Sequence, residues 1–139
     1  MVHFHVYVSR VPGLLANGNA ESQPEAPGFR ISNVPPQITR RWLLRDSKMI
    51  TETFATPELA ADWYAEWIVA NPRPDGAYFP EDPQGEQRAR MVEFTLKALM
   101  GANDRVDGFY TPGGEYVSAS IIACPPRDGK WPCPLGRTS

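Results

Sequence analysis

Residues 2–9, VHFHVYVS, alternate strictly, with Val2, Phe4, Val6 and Val8 on one side and His3, His5, Tyr7 and Ser9 on the other. Side chains of a strand point by turns to its two faces, so this period predicts a strand with one buried row and a histidine–tyrosine row turned to solvent. A second clear period-two signal lies near the other end of the chain. VDGFY and EYVSASIIAC flank TPGG, whose Pro-Gly pair suits a tight reversal, and Val117, Ala119, Ile121 and Ala123 alternate with Tyr116, Ser118, Ser120 and Ile122. Between these two signals, FRIS, TRRWLLR and MITETF read as further sheet segments, with a turn at residues 46–48.

The period then changes to that of a helix. In ATPELAADWYAEWIVAN, Thr56 can cap, Pro57 suits the first helical position, Glu58 favours the positive end, and Asn71-Pro72 stops the run. Leu59, Trp63 and Trp67 recur every four residues and predict a buried stripe widened by Ala60, Tyr64 and Ile68. EQRARMVEFTLKALMGAN predicts a second helix closed by Gly101, with Met91, Phe94, Leu96, Ala98, Leu99 and Met100 as its apolar surface. The stretches RVPGLLANGNAESQPEAPG and NPRPDGAYFPEDPQG carry no period and read as long loops, the first of them mobile.

Strand, long loop, two strands, two helices and a hairpin make an α+β fold: a mostly antiparallel sheet of four to five strands with two helices packed on one face. A chain of 139 residues fits one domain, here residues 1–124, followed by a proline-rich extended tail over 125–139. Fifteen prolines and eleven glycines agree with long irregular connections.

With helices on one side only, the other sheet face is expected to be open. His3, His5 and Tyr7 fall there, joined by Tyr116 if the terminal strands are neighbours, and Trp131 stands in the tail. The chain is therefore expected to be a small non-enzymatic module that binds a protein partner through His3, His5, Tyr7, Tyr116 and Trp131. No catalytic signature supports an enzyme: a G-x-S-x-G elbow, a Walker-type loop and G-x-G-x-x-G are all missing.

Charge supplies an alternative. The net charge is only −2, yet residues 28–48 carry +4 and residues 49–87 carry −7. Arg40, Arg41, Arg45 and Lys48 on one hairpin would neutralise several phosphates, so a nucleic-acid-binding role is the first alternative. Over residues 28–70 the order of three short strands and a helix resembles, in pattern, the small DNA-binding domains at the N-termini of phage-type integrases. Here the helix is acidic, with Glu58, Asp62 and Glu66 at four-residue intervals.

His3 and His5 could also share a metal in a metal-dependent enzyme, the second alternative, because imidazoles two apart on a strand point the same way. A third ligand, a carboxylate or Cys124, would have to be brought by the fold. Cys124 and Cys133 form no C-x-x-C and are expected to be free thiols, so neither a metal nor a cofactor is expected. No run of about 18 apolar residues and no leader pattern is found, which predicts a cytoplasmic protein without a membrane partner.

Overall fold

A computed structural model describes residues 2–16, 20–74, 84–127 and 131–136. The chain runs through β1 (His3–Pro12), α1 (Gly13–Ala16), a series of 3-10 turns between residues 20 and 49, β2 (Glu52–Phe54), α2 (Pro57–Ala70), α3 (Glu86–Met100), β3 (Arg105–Tyr110) and β4 (Glu115–Cys124). The four strands form one open antiparallel sheet in the order β2-β1-β4-β3. This is the expected α+β architecture. The two terminal strands are neighbours at its centre, paired from His3 with Cys124 to Pro12 with Glu115.

Helix α2 begins as its sequence dictates, with the Thr56 side chain accepting from the Leu59 N–H and Pro57 in the first turn. Its buried stripe is rotated from the expected one. Ala60, Ala61, Tyr64, Trp67 and Ile68 face the sheet, while Leu59 is half exposed and Trp63 lies at the margin. Ala60 and Ala61 sit on the covered side of the helix, and Leu59 beside them falls on its outer side. In α3, Leu99 and Thr95 are buried and Met91 and Val92 flank the core, whereas Phe94 and Met100 point outward. Both helices pack with Phe4, Val6, Val117, Ala119, Ile121 and Ala123 in the larger core.

The β3–β4 hairpin follows its sequence reading and depends on Gly108. Tyr116 lies across it so closely that a Cβ at residue 108 would sit 2.3 Å from the tyrosine Oη. At the base of this hairpin, Tyr64 donates to Asp107 at 2.7 Å, Arg73 forms an ion pair with Asp107, and Arg105 Nε donates to Thr95 Oγ1 at 2.9 Å.

The largest departure is the second face of the sheet, which is covered. His3, His5, Tyr7 and Ser9 are all buried, with His5 fully inaccessible, whereas Val8 of the supposed core row is 39% exposed. FRIS and TRRWLLR are 3-10 turns, Phe29–Ile31 and Thr39–Leu44, and of the expected sheet segments FRIS, TRRWLLR and MITETF only the last yields a strand, β2. The likeness over residues 28–70 to a three-stranded DNA-binding unit therefore fails. A strand would send Trp42 and Leu43 to opposite sides, but the 3-10 turn directs both against Tyr7 and Ile122. Trp131 then packs on the same cluster, so the part of the tail that is described folds back on the sheet.

Residues 17–19 of the first long loop, residues 75–83 of the second and residues 128–130 and 137–139 of the tail lie outside the described residues. No helix among the described residues is long and apolar enough to cross a membrane.

Candidate metal centre

The layer over the second face has an aromatic part and a histidine–cysteine part. In the first, Tyr7 stacks on Trp42 with ring centroids 4.8 Å apart, and the Arg45 guanidinium is held between Trp42 and Phe29 at 4.5 and 4.4 Å from their ring centres. Arg45 is 2% exposed and donates from Nη2 to the Glu21 carbonyl at 3.0 Å, while its Nε and Nη1 have no partner among the described residues. Burial lowers its pKa to about 10, against the opposing influence of Glu21 and Tyr7.

This disposes of the basic hairpin as a surface. Arg40 pairs with Asp104 at 3.3 Å, Arg41 donates to Gln23 at 3.2 Å, Arg45 is interior, and only Lys48 is exposed. The four cations do not form one face. The supposed partner face is likewise taken up internally: His3, His5 and Tyr7 are buried, Tyr116 lies against Gly108, and Trp131 is half-buried on the Tyr7–Trp42 cluster.

The second part begins where β1 meets β4. Because His3 and His5 are two apart they project together, and register places Cys124 directly across from His3. The returning tail adds Cys133. The donor atoms of His3, His5, Cys124 and Cys133 all lie within 4.8 Å of one another. The two Nε2 atoms are 3.1 Å apart, and Cys133 Sγ is 3.5 Å from each of them.

These spacings match one tetrahedral ion. Bonds of about 2.1 Å to nitrogen and about 2.3 Å to sulfur at tetrahedral angles separate two nitrogens by about 3.4 Å and a nitrogen from a sulfur by about 3.6 Å. A two-iron cluster with imidazoles on one ion and thiolates on the other would hold sulfur much farther from nitrogen. Outer support is present as well. His5 Nδ1 is bonded to Thr53 Oγ1 of β2 at 2.8 Å, and with Nδ1–H donating, the Nε2 lone pair is turned toward the other three donors.

His5 and Cys124 are inaccessible, His3 is nearly so, and Cys133 is half-buried, with both thiols free. Burial first, and then the adjacent Cys133, push the Cys124 thiol up to about 12. The cluster gathers every histidine and every cysteine in the chain.

Of this set, the sequence pattern singles out the histidines and names Cys124 as a ligand the fold could bring. Cys133 and Thr53 have no local signature. Cys133 reaches the site only through the fold-back of the tail, and Thr53 only through β1–β2 pairing, so the one available sequence signal is the coincidence of exactly two histidines with two cysteines. Compared with protein-family models, with curated proteins and with solved structures, the chain matches none.

Proposed function

We propose that this chain is a zinc-binding protein in which a single structural Zn²⁺ joins β1, β4 and the C-terminal segment through His3, His5, Cys124 and Cys133. The observation that carries this reading is the convergence of two imidazole nitrogens and a thiol sulfur at 3.1 and 3.5 Å, with the second thiol inside the same 4.8 Å cluster. Zinc is favoured because mixed nitrogen–sulfur tetrahedra suit its coordination, while calcium and magnesium take oxygen donors. Four protein donors complete the tetrahedron and leave no position for water or substrate, which supports a structural role over a catalytic one. The reading also accounts for two imidazoles and a thiol being placed in the interior with their donor atoms turned toward one point.

The test is metal analysis of the reduced chain purified without a histidine tag. One zinc per chain is expected, and it should be lost in His5→Ala and Cys133→Ser. Cobalt substitution should give the intense d–d bands of a tetrahedral ion together with sulfur-to-cobalt charge transfer. A wild-type chain that takes up neither ion under reducing conditions sinks the proposal.

A further inference from the structure

We infer that the centre is a redox-exchangeable clamp: peroxide converts the Cys124 and Cys133 thiolates into a disulfide, expels the zinc, and leaves the tail fastened at the same place. This rests on the zinc reading above and extends it to the regulation of the site.

The two ligand sulfurs already lie within 4.8 Å of each other, and they come from structurally unequal positions. Cys124 ends the central strand β4 and is 1% exposed, whereas Cys133 sits half-buried on the returning segment. An oxidant arriving from solvent meets Cys133 first, and the sulfur beside it in the interior is positioned to resolve the product.

The chemistry balances with a hydroperoxide as the only co-reactant. The Cys133 thiolate attacks one peroxide oxygen, the O–O bond breaks, and Cys133 sulfenic acid forms with release of hydroxide. The Cys124 thiolate then attacks the sulfenic sulfur, the S–O bond breaks, and a second hydroxide leaves. Two thiolates have given up two electrons, peroxide has accepted them, and one S–S bond has formed. Disulfide sulfurs are neutral and poor zinc donors, so the ion retains only His3 and His5 and dissociates.

The tail stays in place because the new bond links the same two residues. Trp131, two positions before Cys133, keeps its packing against the Tyr7, Trp42, Leu43 and Ile122 cluster. The fold thus trades an ionic staple for a covalent one, and zinc release reports the oxidation.

The experiment treats the zinc-loaded full chain with one equivalent of hydrogen peroxide. Zinc is followed with a chromogenic chelator, thiols by titration, the linkage by peptide mass mapping, and the fold by circular dichroism and tryptophan fluorescence. Expected are loss of the one bound zinc and both thiols, a mass lower by two hydrogens, a Cys124–Cys133 linked peptide, and an unchanged fold. Dithiothreitol with added zinc should restore the starting state.

Zinc retained after peroxide, or zinc lost with Cys133 as sulfinic acid and Cys124 still a thiol, overturns this inference while leaving the zinc reading intact. Unfolding on disulfide formation also overturns it. A reduced chain that holds no zinc before peroxide is added overturns both.

Discussion

Each polar side chain that β1 turns toward the second layer is buried for its own reason. His5 is bonded to Thr53, Ser9 donates to the Asn33 carbonyl at 2.6 Å, and Tyr7 contributes its ring, stacked on Trp42, while its hydroxyl has no partner among the described residues. An unpaired buried hydroxyl costs about 1–3 kcal/mol in desolvation, whereas the ring packing survives its removal. Tyr7→Phe should therefore leave stability unchanged or raise it by about 1 kcal/mol. Tyr64 makes the opposite case. Its hydroxyl donates to the buried Asp107 carboxylate, so Tyr64→Phe should cost about 1–3 kcal/mol. Burial first, and then that hydrogen bond, raise the Tyr64 pKa above its ordinary 10.0. The folded state thus holds a proton that the unfolded state releases near pH 10, so this stabilisation is complete below that pH and fades as pH rises through it. Urea unfolding of both variants at neutral pH and across the alkaline range measures all three effects. Equal losses in the two tyrosine variants would refute the distinction between them.

Among the elements, the β3–β4 hairpin has the most local requirement. The Tyr116 ring occupies the space a side chain at 108 would need, so Gly108→Ala should cost about 1–3 kcal/mol by overpacking. The penalty should shrink by more than half when Tyr116 is also replaced by Ala, because the colliding group is then gone. Additive losses in the double variant would place the cost in backbone conformation instead. The hairpin and α2 were legible in the sequence because local chemistry decides them: TPGG for the reversal, Thr56 and Pro57 for the helix start. Residues 29–49 were not legible. Short apolar runs such as TRRWLLR carry no signal that separates a strand from a 3-10 turn, and what decides between them is a tertiary contact, Trp42 on Tyr7. The outer row of β1 failed for a related reason. Histidine, tyrosine and serine count as polar in an alternation, yet each can be buried once it has a ring to stack on or a partner to bond, and those partners lie at residues 33, 42, 53 and 133.

At the scale of the whole molecule, the two sides of the sheet are built differently. Two long helices cover one face. The other is covered by turns without a regular hydrogen-bond ladder and by a tail whose described contacts with the body include Trp131 and Cys133. That layer buries Phe29, Val34, Trp42 and Leu43, and the histidine–cysteine cluster lies where the returning tail meets the two central strands, placed to act as a staple between them. If zinc is that staple, stability is linked to its concentration. An ion that binds only the folded chain adds RT ln(1 + [Zn]/Kd), so above Kd each tenfold rise in free zinc should add about 1.4 kcal/mol to the unfolding free energy. Urea unfolding in reducing, zinc-buffered solutions should trace that slope, and Cys133→Ser should flatten it by removing one donor and the tail's anchor together. The variant should unfold at the midpoint of the chelated wild type, because both have lost the same link. A wild-type midpoint that ignores zinc across several decades would mean that the second layer holds by packing alone, and that the four donors converge without an ion to bind.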